Sequence, residues 1–513
     1  MTPLSHFITR ECQVSICVTH LYHKKVIATL KCKLTYYENL SRASRSNTGT
    51  RVSDKKWSKP LCLSSSYKVA HTPRVSPTDC KVVFFASTDV PKTHNTIFEL
   101  VLCDIKTKRS EVLVGKVSDT TSSSEFAGFY GSDVPKSVWL DQHRVVYTVT
   151  VRSRKRLAVV SITDGKVQVM YSDSKKLTDH VLLTVDSKSE RVLFSESSIT
   201  SRPVLMCSHC NNDSGPSCLL DFDTNLERYV VPSHQPCSIN TSNVTIREIS
   251  YDKNRSFESI LILPFDKKEK RKRVPLIVSP HGGPHSVTTL SYRTDVHFLC
   301  EVGYATLFVN YRGSIGFGLN PLESLPGKIG SQDLRDVIAA VEDVLKHCND
   351  VLDADRVFYA GGSHGGFLGL HFALSCSEIC KAVAIRNPVT NVASMYGTSD
   401  IADWTLVEAL GMSIDPRAVP SADQIKQMWN CSPISRSLPS RVPPHLFLLG
   451  QKDRRVPVSQ GIHMAERLKQ AGVSVRILMY PQDNHPLSRV ETQLDRWIST
   501  LDLFEKVSGS KWE

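Results

Sequence analysis

The chain has 513 residues, 41% hydrophobic and 22% charged, which is too long for one ordinary core and too apolar for a disordered polymer, so two to four folded domains are expected. Its 63 basic and 51 acidic side chains leave a formal charge of +12, but the basic residues are scattered. The densest run, Lys267-Lys268-Glu269-Lys270-Arg271-Lys272-Arg273, lies between two apolar runs and reads as a solvated loop, so a nucleic-acid partner is not expected.

Residues 1–64 are basic and rich in Ser, Thr and Tyr, with a strand candidate over Val26 to Leu34 and a polar stretch, Ser41 to Lys56, that reads as linker. Arg10, Glu11, Lys24 and Lys25 interrupt the N-terminal stretch where a signal peptide needs an apolar core. No apolar run reaches the roughly 20 residues of a membrane span. A cytoplasmic protein without a membrane partner is therefore expected. The fifteen cysteines are dispersed, without the spacing of a disulfide framework, and reduced thiols are expected. Cys207-Ser208-His209-Cys210, with Cys218 and Cys237 downstream, has no second ligand pair at zinc-finger spacing, so no metal is expected.

Over 65–246 the pattern is one of short strands and turns. Asp79 to Phe84, Asp141 to Tyr147 and Asp186 to Phe194 each run from an acidic turn through a basic residue into an apolar strand, and hairpin-like units lie between them, one turning at Asp164-Gly165. Their spacing brackets the roughly 40 to 50 residues of a propeller blade. The expectation is an all-β partial β-propeller of about four blades.

Over 247–513 strands and helices alternate. The apolar runs Ser259 to Leu263, Leu276 to Ser279, Ala305 to Val309, Val357 to Ala360, Ala382 to Ile385, Leu446 to Leu449 and Val475 to Met479 are separated by helical segments. The best of these, Ser331 to Cys348, carries Leu334, Val337, Ile338, Val341, Val344 and Leu345 on one face. Continuous apolar strands flanked by amphipathic helices mean a doubly wound, mostly parallel α/β sheet covered on both sides.

Within that region Val357-Phe358-Tyr359-Ala360 drives into Gly361-Gly362-Ser363-His364-Gly365 and then a helical segment, the setting of a nucleophile elbow. The turn is so sharp that Gly361 and Gly365 must lack Cβ atoms. Ser363 needs a base, and the base needs an orienting acid. In a parallel sheet both come from loops at the C-terminal ends of strands. Asp453 lies in the loop after Leu446 to Gly450, and His485 in the loop after Val475 to Tyr480. Asp483 is only two residues from His485, too close in sequence to reach the far ring nitrogen, so Asp453 is preferred. His463 falls in a helix and His445 begins a strand, so both are read as structural. The oxyanion donors are then the backbone N–H of His364 and that of Gly282 or Gly283, in the loop Ser279 to Ser286, which His281 is expected to brace.

The chain resembles the prolyl oligopeptidase family of serine peptidases, and within it the acylaminoacyl-peptidase branch. The resemblance rests on His281-Gly282-Gly283-Pro284-His285-Ser286, Val309 to Gly318, Gly361 to Gly366, Arg386-Asn387-Pro388-Val389 with Asp400 to Trp404, and Gly450 to Pro457. It implies a C-terminal α/β-hydrolase domain behind a β-propeller. The activity implied is hydrolysis of short N-acylated peptides to an N-acylamino acid, with Ser363 as nucleophile, His485 as base then acid, Asp453 as orienting carboxylate and no cofactor. Many members form oligomers, so a homo-oligomer is among the expectations. The dipeptidyl peptidase branch grips a free amino terminus with two neighbouring glutamates, and this chain has no Glu-Glu pair. Family propellers commonly have seven or so blades, and 65–246 is too short for them. A carboxylesterase of the same fold and a truncated, non-catalytic binding form are the other readings.

Overall fold

The computed structural model describes residues 63–77, 81–131, 134–171, 177–209, 243–252, 255–264, 273–413 and 418–509, together with the course of strands Glu11–Val18, Cys32–Ser41, Lys55–Trp57, Leu61–Cys62 and Ser217–Leu220. Its centre is an eight-stranded sheet. In chain order the strands are β1 (Val244–Asp252), β2 (Arg255–Ile262), β3 (Val274–Val278), β4 (Ala305–Asn310), β5 (Leu352–Gly362), β6 (Cys380–Arg386), β7 (His445–Gly450) and β8 (Val475–Tyr480). They lie side by side as β1-β2-β4-β3-β5-β6-β7-β8. The β1/β2 and β2/β4 pairs are antiparallel and the rest parallel.

All seven apolar runs read from the sequence become strands here. β1 was not among them, because it is an edge strand with one half-buried face, and its alternating sequence carries no continuous apolar signal. Along the central strands the side chains alternate between two cores. Leu276, Val278, Val357, Tyr359, Val383, Ile385, Phe447 and Leu449 face one core; Ile277, Phe358, Ala382, Ala384, Leu446 and Leu448 face the other.

The helices between the strands are α1 (Thr294–Glu301), α2 (Leu319–Glu323), α3 (Gln332–His347), α4 (His364–Ser375), α5 (Val392–Thr398), α6 (Ala402–Leu410), α7 (Ala422–Asn430), α8 (Ser459–Gln470) and α9 (Val490–Ser508). α3 buries Leu334, Val337, Val341 and Val344 in the first core, with Ile338 and Leu345 half-buried beside them. α4 enters its helix directly from the elbow and is apolar all round, so it is buried on every side.

Ahead of this sheet lie four consecutive antiparallel sheets, a partial β-propeller. One is a meander over Val69–Val75, Lys81–Ser87, Glu99–Asp104 and Arg109–Val114. The next holds Arg144–Val151, Arg154–Ser161 and Val167–Met170. The third holds Thr178–Asp186, Arg191–Ser198, Ser201–His209 and Ser217–Leu220. The three similar sequence segments occupy equivalent places: Lys81–Ser87 and Arg191–Ser198 are second strands, and Arg144–Val151 follows a rudimentary first strand that pairs through Trp139 and Val145.

Among the described residues, three of these sheets lie within 65–246. The fourth is drawn from residues 11–62, where Cys32–Ser41 pairs with Glu11–Val18, Lys55–Trp57 and Leu61–Cys62. Of the strand expected over Val26 to Leu34, residues 32–34 fall in Cys32–Ser41, while the rest of it, most of the stretch read as linker and the basic run around Lys270 lie outside the described residues. The strands of this sheet, such as CKLTYYENLS, are too polar to show apolar alternation.

The propeller docks on the hydrolase sheet through Arg152, which is 2% exposed. Its Nε donates to Glu258 Oε1 at 2.7 Å, a second nitrogen to Ser256 Oγ at 2.9 Å, and its backbone N–H to Gly316 O at 2.7 Å. A Cβ on Gly316 would fall 2.7 Å from Arg152 O, and one on Gly318 2.7 Å from Ser118 O. The glycine-rich run after β4 is therefore the surface on which propeller backbone comes to rest.

Candidate active site

The loops that matter leave the C-terminal ends of β3, β5, β7 and β8, all at one edge of the sheet, as expected for an open α/β fold. β3 and β5 are neighbours, with Ile277 paired to Phe358, so the loop after β3 lies beside the loop after β5. Ser363 sits at the end of β5 with φ 58° and ψ −123°, a left-handed conformation strained for a residue with a side chain.

The neighbouring glycines are steric requirements. A Cβ on Gly361 would fall 2.6 Å from Gly365 O, and one on Gly365 would fall 2.6 Å from Pro280 O. Gly365→Ala is therefore expected to cost about 1–3 kcal/mol by overpacking and to displace the loop after β3. A lowered urea midpoint together with slower fluorophosphonate labelling of Ser363 would show it.

His485 Nδ1 donates to Asp453 Oδ2 at 2.6 Å. Asp453 is held in turn by two backbone donors on Oδ1, Arg455 N at 2.8 Å and Val456 N at 3.0 Å. This arrangement fixes the imidazole with Nδ1 protonated and Nε2 free to accept a proton. Asp483 is engaged elsewhere: it is buried and accepts from Thr492 Oγ1 at 2.6 Å and Arg489 N at 3.3 Å. Ser363 and His485 line the same cavity of about 640 Å³, and no hydrogen bond joins them among the described residues. In resting hydrolases this bond commonly tightens only with substrate in place.

Gly282 lies against the elbow, where a Cβ would stand 3.3 Å from Ser363 Cβ and 3.9 Å from His364 N. His364 opens α4, so its backbone N–H has no partner within the helix. Its side chain turns away from the cavity into the core, where Nε2 donates to the buried Asp333 Oδ2 at 2.8 Å. His281 braces its loop: Nδ1 donates to Gly282 O at 2.8 Å, Nε2 shares a hydrogen bond with Ser314 Oγ at 2.7 Å, and the ring stacks on Tyr311 at 4.5 Å. Burial pushes its pKa down to about 4, so it carries no charge at neutral pH. His445 is buried at the start of β7, and His463 is exposed on α8.

Sequence reading missed a second network behind the loop after β3. Glu408, fully buried on α6, accepts from His285 Nε2 at 3.1 Å and lies 3.7 Å from His94 Nδ1; His94 Nε2 donates to Asp403 Oδ2 at 3.1 Å. Asn95 Nδ2 donates to His285 O at 2.6 Å, and Trp404 Nε1 to Gly283 O at 2.9 Å. Two propeller residues and one helix thus hold the loop carrying Gly282 and Gly283. Nothing in the sequence pairs His94 with Glu408, 314 residues apart, so no local signal could have found them.

Part of the cavity lining is apolar, from Val389, Met395, Ile401, Trp404 and Val456, and part is charged. Among the described residues no group of three or more His, Cys, Asp or Glu could hold a metal; Cys210 and Cys237 lie outside them.

The prolyl oligopeptidase family matches residues 290–511. The chain is 35% identical over 441 residues to the acylamino-acid-releasing enzyme of Mus musculus, covering 86% of this chain and 59% of that protein. It is also 35% identical to the acylamino-acid-releasing enzyme of Arabidopsis thaliana, over 74% of this chain and 50% of that one. It therefore spans between half and three-fifths of the length of these relatives. The acylaminoacyl peptidase structure from Pyrococcus horikoshii superimposes with a TM-score of 0.68 at 16% identity, over 97% of this chain and 79% of that one, which is a likeness of fold. The α/β-hydrolase sheet, the preceding antiparallel sheets and the match over residues 290–511 make this chain similar to members of the prolyl oligopeptidase family.

Proposed function

We propose that the chain is a serine exopeptidase that hydrolyses short N-acylated peptides and releases an N-acylamino acid. The observation that carries this reading is the 2.6 Å hydrogen bond from His485 to Asp453 in a cavity shared with the strained Ser363. Ser363 Oγ attacks the carbonyl carbon after the blocked residue while His485 Nε2 takes its proton. The resulting oxyanion is met by the backbone N–H groups of His364 and of Gly282 or Gly283. Collapse breaks the C–N bond as His485 returns the proton to the leaving amine, and water, activated by the same imidazole, then frees the acylamino acid.

The relatives' shared name supports a blocked substrate, as does the lack of any Glu-Glu pair to grip a free amine. The same proposal takes 65–246, with 1–64, as the propeller unit and 247–513 as the catalytic unit. It also includes a cytoplasmic location and self-association. Among the described residues no helix is long and apolar enough to cross a membrane.

The test is release of N-acetylalanine from N-acetyl-trialanine, run beside trialanine with a free amine. The expected result is turnover of the blocked peptide at about tenfold or more the rate of the free one. Turnover of the free peptide alone, or no release from protein whose Ser363 is labelled by a fluorophosphonate, would refute the reading.

A further inference from the structure

The cavity shared by Ser363 and His485 is also lined by residues at α1 and α9, and that part of the lining is cationic. Arg293, Arg386 and Arg496 line it, against a single carboxylate, Asp295. Asp295 is already taken by Arg293, whose Nε and Nη2 donate to its two oxygens at 3.1 and 2.6 Å. The fourth lining arginine, Arg455, is paired outside the cluster with Asp400 at 2.8 Å.

Among the described residues the other two guanidinium groups form no ion pair of their own, Asp295 being taken by Arg293. Arg386 Nη1 donates only to backbone carbonyls, Pro486 O at 3.1 Å and His485 O at 3.4 Å. Arg496 Nε is buried with no hydrogen-bond partner among the described residues. Asp483, the next acid near Arg496, is committed to Thr492 and Arg489 N. Burial lowers the Arg386 guanidinium to about 10, with Arg496 and Arg293 acting in the same direction and outweighing the opposing pull of Asp295 and Asp453.

Two unneutralised guanidinium groups in a partly dry cavity favour an anion, and paired N–H donors suit a carboxylate. Their position says which carboxylate. The imidazole that takes the serine proton must hand it to the leaving amine, so the leaving group lies on the histidine side of the serine. Arg386 is bonded to the backbone of His485 itself, and Arg496 belongs to α9, the helix that follows the His485 loop.

We propose that Arg386 and Arg496, with Arg293 behind them, form a subsite that binds the terminal carboxylate of a short leaving peptide. This rests on the exopeptidase reading and deepens it: the chain selects blocked peptides short enough for their free C-terminus to reach the cluster.

The test separates binding from turnover. Ser363→Ala protein, which binds without cleaving, is titrated calorimetrically with N-acetyl-trialanine and with the C-terminal amide of the same peptide. The expected result is binding about tenfold or more tighter for the acid, with the preference removed in Ser363→Ala/Arg496→Met and largely kept in Ser363→Ala/Arg496→Lys. Equal affinity for acid and amide, binding of neither, or a preference that survives Arg496→Met would overturn the proposal. Active protein then distinguishes the two failures. Equal hydrolysis of acid and amide would sink the carboxylate subsite and leave the exopeptidase standing, whereas a binding preference without any hydrolysis would do the reverse.

Discussion

Asp453→Asn is expected to lower kcat for a blocked peptide by about 10⁴-fold, with the fold intact. The amide is the same size as the carboxylate and can still accept from Arg455 N and Val456 N, so the loop after β7 keeps its shape. What it loses is the anionic acceptor on His485 Nδ1. An amide NH₂ in that place donates to the ring, which shifts the proton to Nε2 and leaves no base facing Ser363. The control is Asp483→Asn. Asp483 shares the loop with His485 and lies two residues from it, but its carboxylate serves Thr492 and Arg489 N. That substitution is expected to cost about 1–3 kcal/mol of stability and only a few-fold in kcat, which is small on the scale of a lost triad member. Steady-state hydrolysis of N-acetyl-trialanine by both variants, with circular dichroism to verify folding, reads the difference. A larger kcat loss for Asp483→Asn than for Asp453→Asn would reassign the orienting acid.

Sequence made the hydrolase half legible because there local pattern and global structure agree. A continuous apolar run such as Val357 to Ala360, stopped by glycines, reads as a strand buried on both faces, and Gly361 and Gly365 stand where the elbow's own backbone and that of the loop after β3 leave no room for Cβ. The order of strands along the chain then places Ser363, Asp453 and His485 at one edge before any coordinate is known. The propeller half was legible only where its strands are apolar. Lys81–Ser87 is almost wholly buried and stood out, while Arg109–Val114 is largely exposed, and the sheet in residues 11–62 is too polar to show a period. What no reading of one sequence reaches is the set of contacts between the halves. His94 and Arg152 look like ordinary turn residues until Glu408 and Glu258 arrive from more than a hundred residues away. Arg293, Arg386 and Arg496 are likewise scattered basic residues on paper and become one cluster only when α1, β6 and α9 meet.

Glu408→Gln tests the contact between the halves, and the expected loss is about 3–5 kcal/mol, the cost of removing one member of a buried ionic network. Burial alone would raise the Glu408 carboxyl, but His285 and His94 outweigh it and hold it down to about 2. Burial likewise opposes charge on His94, yet Asp403 and Glu408 carry it up to about 9. The signs fix the pH window. Because His94 is raised above its ordinary 6.5, the stability it contributes is complete below pH 6.5 and is lost as pH climbs through 9. Because Glu408 is lowered from 4.5, its contribution is complete above pH 4.5 and is lost as pH falls through 2. The two shifts share one interaction and do not add. With the His94 side chain 31% exposed, solvent screening trims the alkaline loss to about 2 kcal/mol. Unfolding free energy measured in urea should therefore fall between pH 6.5 and 9 in the unmodified chain and stay nearly level in His94→Gln. Fluorophosphonate labelling of Ser363 should slow over the same range, since His285 shares its loop with Gly282 and Gly283. An unmodified chain whose stability and labelling are both level across that range would mean that the network does not hold the loop after β3, and that the propeller residues at 94 and 95 are bystanders to the chemistry.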